Sequence, residues 1–253
     1  MTSLAIVAAS SYLHGVAEKE ALPSLETRLN AVSRERFRRV DRFILLSVLG
    51  SAECARKTSL REDCGLYLSS GIGPVGSNVQ VQEQLCRDHV LPKPFNFVNT
   101  LGSAAGHHAA KNLGLTGQNL FISRRGGAFR AALTVAAADL EAGIVSQALV
   151  GAVEELTLPI DEHRRRLAVG EDVKLAEGSH WIVVEKGARA EFPTLTLTRR
   201  DSALEVPAYQ PGLPFHDSRE AALLTHWLEH RDTPRFQLVS GTDIAGWLHL
   251  AAE

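Results

Sequence analysis

Apolar residues along this chain fall into short runs that alternate between strand-like and helical spacing, with glycine and proline marking the breaks. Leu4 to Ala9 is an apolar run of strand length. Residues 24–40 are charged and helical in period, and they contain the basic cluster Arg34-Glu-Arg-Phe-Arg-Arg39. Asp41-Arg-Phe43 then opens a more apolar helix, Ile44 to Ala55. Cys64 to Ser70 is a second strand that runs into Gly71-Ile-Gly-Pro-Val-Gly76, and a helix follows from Ser77 to Asp88, bounded by prolines 92 and 94. Residues 96–100 read as a loop, and Ser103 to Leu113 as a small-residue helix containing His107 and His108.

The middle of the chain repeats this alternation. Leu120 to Ser123 is a third strand, Gly127 to Ala142 a long Ala-rich helix, Ala148 to Val153 a fourth strand and His180 to Val184 a fifth. Strands that are apolar throughout, separated by helices, predict an α/β protein with a mostly parallel sheet buried between helices. After Lys186 the character changes: a Thr-alternating strand (Thr194 to Thr198), a Pro-rich loop (Pro207 to Pro214), an amphipathic helix (Ser218 to His230) and an apolar strand (Phe236 to Val239).

Composition narrows the function classes. At 253 residues, 45% hydrophobic and 22% charged, the chain is an ordinary globular one. A net charge of −2 gives no electrostatic case for nucleic acid or an anionic membrane. No apolar run reaches the roughly 20 residues of a membrane span. The N-terminus lacks a basic leader and reads as a first strand, so a cytoplasmic protein is expected. Cys54, Cys64 and Cys86 fit neither a disulfide framework nor a zinc site and read as reduced, buried thiols; no metal or cofactor site is expected.

One motif invites a nucleotide. Gly71-x-Gly73-x-x-Gly76 follows a strand and precedes a helix, as a dinucleotide-binding turn would. Pro74 within the turn, and the absence of a later strand ending in an acid to hold a ribose, favour a tight structural turn instead.

The most specific stretch is 114–155. Gly114-Leu-Thr-Gly117 leads into the strand ending at Ser123, then Arg124-Arg125-Gly126-Gly127-Ala-Phe129-Arg130 opens the long helix, and Gly151-Ala-Val-Glu154 ends the next strand. Without a gap this resembles the nucleophile-elbow region of β-ketoacyl synthases of the thiolase superfamily. Asp41-Arg-Phe43, Ser70-Gly-Ile-Gly73, and Phe97-Val-Asn-Thr100 through Ala105-Gly-His107 resemble further motifs of that family in the same order. The resemblance implies a thiolase-like fold in which residues 1–189 form the N-terminal half. Residues 190–253 would be a remnant of the C-terminal half, packed on the same domain.

The family's activity is β-ketoacyl-ACP synthesis, an acyl transfer that uses an elbow cysteine and two histidines. Here Gly126 stands at the cysteine's place, and glycine has no side-chain lone pair. Leu238-Val-Ser-Gly-Thr242 resembles the turn carrying the first histidine, with Ser240 in its place. The sequence ends at Glu253, before the segment that would carry the second. Ser123 reads as a strand-end hydroxyl, and His107 and His108 as packed or hydrogen-bonded core residues, so no catalytic residue is expected. The resemblance therefore implies a chain-length-factor-like pseudo-enzyme that pairs with a catalytic β-ketoacyl synthase, as a heterodimer, in fatty-acid or polyketide biosynthesis of aryl-polyene type. Acyl carrier protein is a further candidate partner.

Phe121, Ser123, Arg124, Arg125, Gly126, Gly127 and Phe129 are the candidate elbow and interface residues. A sheet layer left bare by the missing half is expected to seek a partner. Two other readings stand beside this one: a thioester decarboxylase or hydrolase with altered elbow chemistry, and a nucleotide-binding oxidoreductase resting on the glycine turn alone.

Overall fold

The computed structural model describes residues 2–16, 21–200, 212–233, 235–243 and 246–252, without the side chains of 199–200, 237–243 and 246–250. Along the chain the elements are β1 (Thr2–Gly15), α1 (Glu26–Val32), α2 (Arg42–Ala55), β2 (Gly65–Ser70), α3 (Val75–Cys86), α4 (Pro94–Asn99), α5 (Gly102–Leu113) and β3 (Asn119–Ser123). They continue with α6 (Ala128–Ala142), β4 (Ala148–Glu154), α7 (Ile160–Leu167), β5 (Ala176–Lys186), β6 (Thr194–Arg200), α8 (Arg219–His230), β7 (Phe236–Asp243) and β8 (Gly246–Ala252). Residues 207–211 of the expected Pro-rich loop lie outside the described residues.

The eight strands of the described residues join one sheet in the order β3-β2-β4-β5-β1-β6-β8-β7. β2 pairs in parallel with β3 and β4. β5 runs against both β4 and β1, so β1, β2, β3 and β4 share one direction. The α/β architecture is as expected, with one correction: parallel ladders are confined to β3-β2-β4, and the pairings of β5, β6, β7 and β8 are antiparallel. A strand buried on both faces is an apolar run whichever way it points, so the apolar pattern carries no information on direction.

Helices cover both faces. On one, α2 and α5 pack Phe43, Leu46, Leu49, Ala105 and Ala109 against Leu66, Leu68 and Trp181. On the other, α6 and α8 pack Leu133, Ala136, Leu224 and Trp227 against Ile6, Val150 and Ile182. From β1 to β5 the sheet is therefore covered on both faces, which corrects the expectation of a bare layer there. The exposed apolar surface lies instead on α3, α4 and their connection, where Leu91 is 89% exposed and Phe95, Phe97 and Val98 are also exposed.

Helix α4 occupies what reads in sequence as a loop, with Pro94 in its first turn, where the missing N–H costs nothing. β1 is far longer than its apolar run. Its register shifts between Ile6 and Ala8, which puts Ile6 and Ala8 on opposite faces, and its second half is polar yet satisfied inside. There Ser10 donates to the Gly50 carbonyl at 2.9 Å and Tyr12 donates to Glu177 at 3.0 Å. Burial pushes the thiols of Cys54 and Cys64 up to about 12, making them inert. Cys86, against expectation, is exposed at the end of α3.

The glycine of the Gly-x-x-Glu strand has a packing cause. A Cβ at Gly151 would lie 2.2 Å from the Trp181 ring, which sits on the neighbouring β5. Gly151→Ala is expected to destabilise the fold by about 1–3 kcal/mol through overpacking. Denaturant unfolding checks this; an unchanged midpoint would mean the ring is not seated there.

Candidate functional site

The elbow joins the end of β3 to α6. Arg124 donates its backbone N–H to the Ser70 carbonyl at 3.1 Å, the last ladder bond to β2, and the chain then turns through Gly126 and Gly127. Both glycines are left-handed, with φ of +67° and +75°, a region costly for any residue with a Cβ. A Cβ at Gly126 would meet nothing within 4 Å, whereas one at Gly127 would lie 2.5 Å from the Arg130 guanidinium. Where the resemblance would put a nucleophile there is thus open space and no reactive atom.

Of the candidate residues, Ser123, Arg124, Arg125 and Gly126 are exposed, while Gly127 and Phe129 are buried. Phe129 belongs to the core under α6. Phe121 turns inward, edge-on to Phe43 at 6.1 Å, and approaches Gly102 so closely that a Cβ there would lie 2.1 Å from its ring. Neither phenylalanine is offered to a partner; both are elbow residues that pack inward. Within the described residues β3 is the terminal strand of the sheet, so its outer edge is open.

Sequence reasoning missed what faces the elbow. Arg125 pairs through Nε with Asp217 at 2.7 Å, and Arg130 pairs with Glu220 at 2.7 Å. Arg130 is buried in the apolar first half of the helix, and a buried guanidinium requires a carboxylate, so that single arginine was a usable signal. Ser218 donates to Glu154 at 2.6 Å, and Ser70 donates to the same carboxylate at 3.0 Å together with the Gly71 N–H. The segment around residues 216–220 therefore lies directly over the ends of β2 and β4 and against the elbow.

This arrangement also settles the glycine-rich turn. Gly73 takes φ +67°, while Gly71 is needed because a Cβ would lie 2.3 Å from Asp217 Cβ. The Gly76 N–H donates to Glu155 at 2.7 Å. Glu154, Glu155 and Asp217 crowd the place where a pyrophosphate would lie, and the Gly71 and Gly76 N–H groups that would cradle one are already bound to Glu154 and Glu155.

The histidines lie elsewhere. His107, against expectation, is exposed on α5, whereas His108 is half-buried and packs edge-on against Phe37 at 5.8 Å. His180 and His216 are buried and stacked at 5.1 Å, and burial lowers His180 and takes His216 down to about 4. Both are neutral at pH 7. Ser240 lies on β7, and its side chain is outside the described residues. Among the described residues no group of three His, Cys, Asp or Glu side chains is placed to hold a metal ion.

Burial pushes Glu155 up to about 8 and Glu154 up to about 7, from an ordinary 4.5. Because these values are raised, the folded chain holds protons that the unfolded chain has lost. The stability this contributes is complete below pH 4.5 and disappears as pH rises through 7 to 8. The melting temperature is expected to fall between about pH 5 and 8, and Glu155→Gln, which keeps an acceptor for Gly76, to flatten that fall. An equal slope in the two proteins would exclude Glu155 as its source.

No family model matches the sequence, and no curated protein matches it. Solved structures match the fold. "The ishigamide ketosynthase/chain length factor" superposes with a TM-score of 0.68 at 14% identity, over 99% of this chain and 98% of that one. The ketosynthase ApeO in complex with its chain length factor ApeC, from Xenorhabdus doucetiae, gives 0.59 at 14% identity over 97% and 99%. The complex AntDE:AntF, a type II PKS acyl-carrier protein with its ketosynthase, gives 0.53 at 15% identity over 73% of this chain and 58% of that one. The chain has the thiolase-like fold of ketosynthase and chain-length-factor proteins.

Proposed function

We propose that this chain is a non-catalytic, chain-length-factor-like subunit that pairs with a catalytic β-ketoacyl synthase in fatty-acid or aryl-polyene-type polyketide biosynthesis. The observation that carries this reading is Gly126: an intact strand-elbow-helix on the ketosynthase fold has no nucleophile at its turn. Two features support a partner. The outer edge of β3 is open within the described residues, and the apolar side chains on α3, α4 and their connection face outward. Structures of this fold include pairs described as a ketosynthase with its chain length factor.

In this reading residues 1–189 are the N-terminal half of the family fold and 190–253 a remnant of its second half, working in the cytoplasm. Acyl carrier protein is the further partner, and the exposed Arg34, Arg36, Arg38 and Arg39 supply a cationic surface for an acidic one. Altered thioester chemistry at the elbow is not favoured. The carboxylates nearest to it, Asp217 and Glu220, are already bound to arginines and would oppose an oxyanion.

Co-expression with a ketosynthase from the native host tests the proposal. The two chains are expected to co-purify in equal amounts, with carbon–carbon bond formation requiring the ketosynthase. Condensation by this chain alone, or a stable monomer that captures no ketosynthase, would overturn it.

A further inference from the structure

Arg125 is half exposed, yet its guanidinium is engaged on three sides. Nε pairs with Asp217 at 2.7 Å, and the terminal groups donate to the Arg166 carbonyl at 3.2 Å and the Leu167 carbonyl at 2.9 Å. Its partners belong to the end of α7 and to the residues just before α8, both distant in sequence from the elbow. A turn further along, Arg130 makes a second link of the same kind to Glu220, ninety residues away in the chain. The two carboxylates are only 10% and 17% exposed, so water screens these pairs weakly. Gly71 closes the far side of Asp217 and leaves it little room to shift.

The loop they hold faces solvent. Ser123 to Gly126 are all exposed, and Gly126 has no neighbour where a side chain would be. At its centre, Arg125 ties its course between β3 and α6 to Asp217 and to the end of α7. The end of β3 is one residue from Arg124, so a loop free to swing would carry the end of the open edge with it.

We propose that Arg125 and Asp217 are positioning residues: through this clasp, the segment leading into α8 holds the elbow and the end of β3 in the geometry that a ketosynthase strand docks on, and so sets the affinity of that pairing. The proposal rests on the reading of the β3 edge as the partner contact. It gives residues 212–230 a role in assembly even though they are not at the edge itself.

The test compares wild type with Asp217→Ala, Asp217→Asn and, as a control for general loosening, Leu224→Ala in the core beneath α8. Limited trypsin digestion reads the elbow directly, since Arg124 and Arg125 are themselves cleavage sites; capture of a native ketosynthase reads the pairing. Asp217→Ala is expected to speed cleavage after Arg124 and Arg125 roughly tenfold, to leave cleavage elsewhere as in wild type, and to weaken capture roughly tenfold. Asn, which keeps the volume and one acceptor, falls between. Leu224→Ala is expected to raise cleavage at all sites alike.

If Asp217→Ala follows the Leu224→Ala pattern, or leaves the elbow as resistant as wild type, positioning is overturned. Faster elbow cleavage with unchanged capture overturns the link to pairing. A wild-type chain that captures no ketosynthase sinks the reading of the edge and the affinity claim with it, while the tryptic pattern still decides whether the clasp holds the elbow.

Discussion

Replacing Asn119 and Ser123 together by proline is expected to abolish assembly with a ketosynthase while leaving the isolated chain folded. The reason lies in the ladder geometry of β3. Leu66 donates to the Gln118 carbonyl at 2.7 Å and Arg124 donates to the Ser70 carbonyl at 3.1 Å, so the even-numbered residues of the strand bond to β2. Asn119, Phe121 and Ser123 therefore present their backbone groups to the open edge. Phe121 is excluded as a site for substitution because its ring is packed, but Asn119 and Ser123 are exposed.

Proline is tolerated on an edge strand where its missing N–H faces outward, so the melting temperature should stay close to wild type. A docking strand loses two donors and meets two rings. At about 1 kcal/mol for each lost bond, affinity falls roughly thirtyfold before any steric cost. Size-exclusion chromatography of the mixed chains reads the result. Undiminished assembly of the double variant would move the contact away from β3, to the apolar surface of α3 and α4.

The elements that set out the elbow were legible in the sequence. β2, β3, β4, α2, α5 and α6 lie within about two residues of their expected bounds, because each is a compact apolar run closed by glycine, proline or a cap. Asp41, for example, accepts the Ile44 N–H at 2.9 Å at the start of α2. What was hidden has identifiable causes. The second half of β1 carries serines, a tyrosine and a histidine that look like a loop until Gly50, Glu177 and His180 are brought beside them. Helix α7 is short and mostly charged, and its buried His163 and Arg164 are satisfied by Thr157, Gly170 and Val173 in its own neighbourhood. The clasp was invisible for a different reason. Arg125 and Asp217 each look like ordinary surface charges, and only the fold brings them together. Arg125 is exposed yet pairs with Asp217, and the buried Arg130 pairs with Glu220.

Restoring the missing nucleophile is expected to give a reactive thiol and no condensation. Gly126→Cys places its Cβ in open space, so the site accepts the side chain sterically, at a cost of about 1–2 kcal/mol for the left-handed backbone. The sulfur would lie just before the N-terminus of α6, with Arg124 and Arg125 alongside it in sequence, a setting that favours the thiolate. Iodoacetamide should therefore label the variant faster than wild type, in which Cys86 is the exposed thiol and Cys54 and Cys64 are buried.

Condensation demands more than a thiolate. Decarboxylating a malonyl thioester develops negative charge on its oxygen, and the guanidiniums of Arg125 and Arg130 are already engaged by Asp217 and Glu220 rather than aimed at that oxygen. The buried histidines, His180 and His216, are stacked on each other in the interior. A nucleophile and its oxyanion donors act as a unit, so one member alone recovers little of the rate. Mass spectrometry of the Gly126→Cys variant after incubation with an acyl thioester should find at most acylation at the introduced thiol, and no β-ketoacyl product with malonyl thioester present. Carbon–carbon bond formation by the purified Gly126→Cys variant would show that another side chain stabilises the oxyanion, and His107, exposed on α5, would be the first to replace.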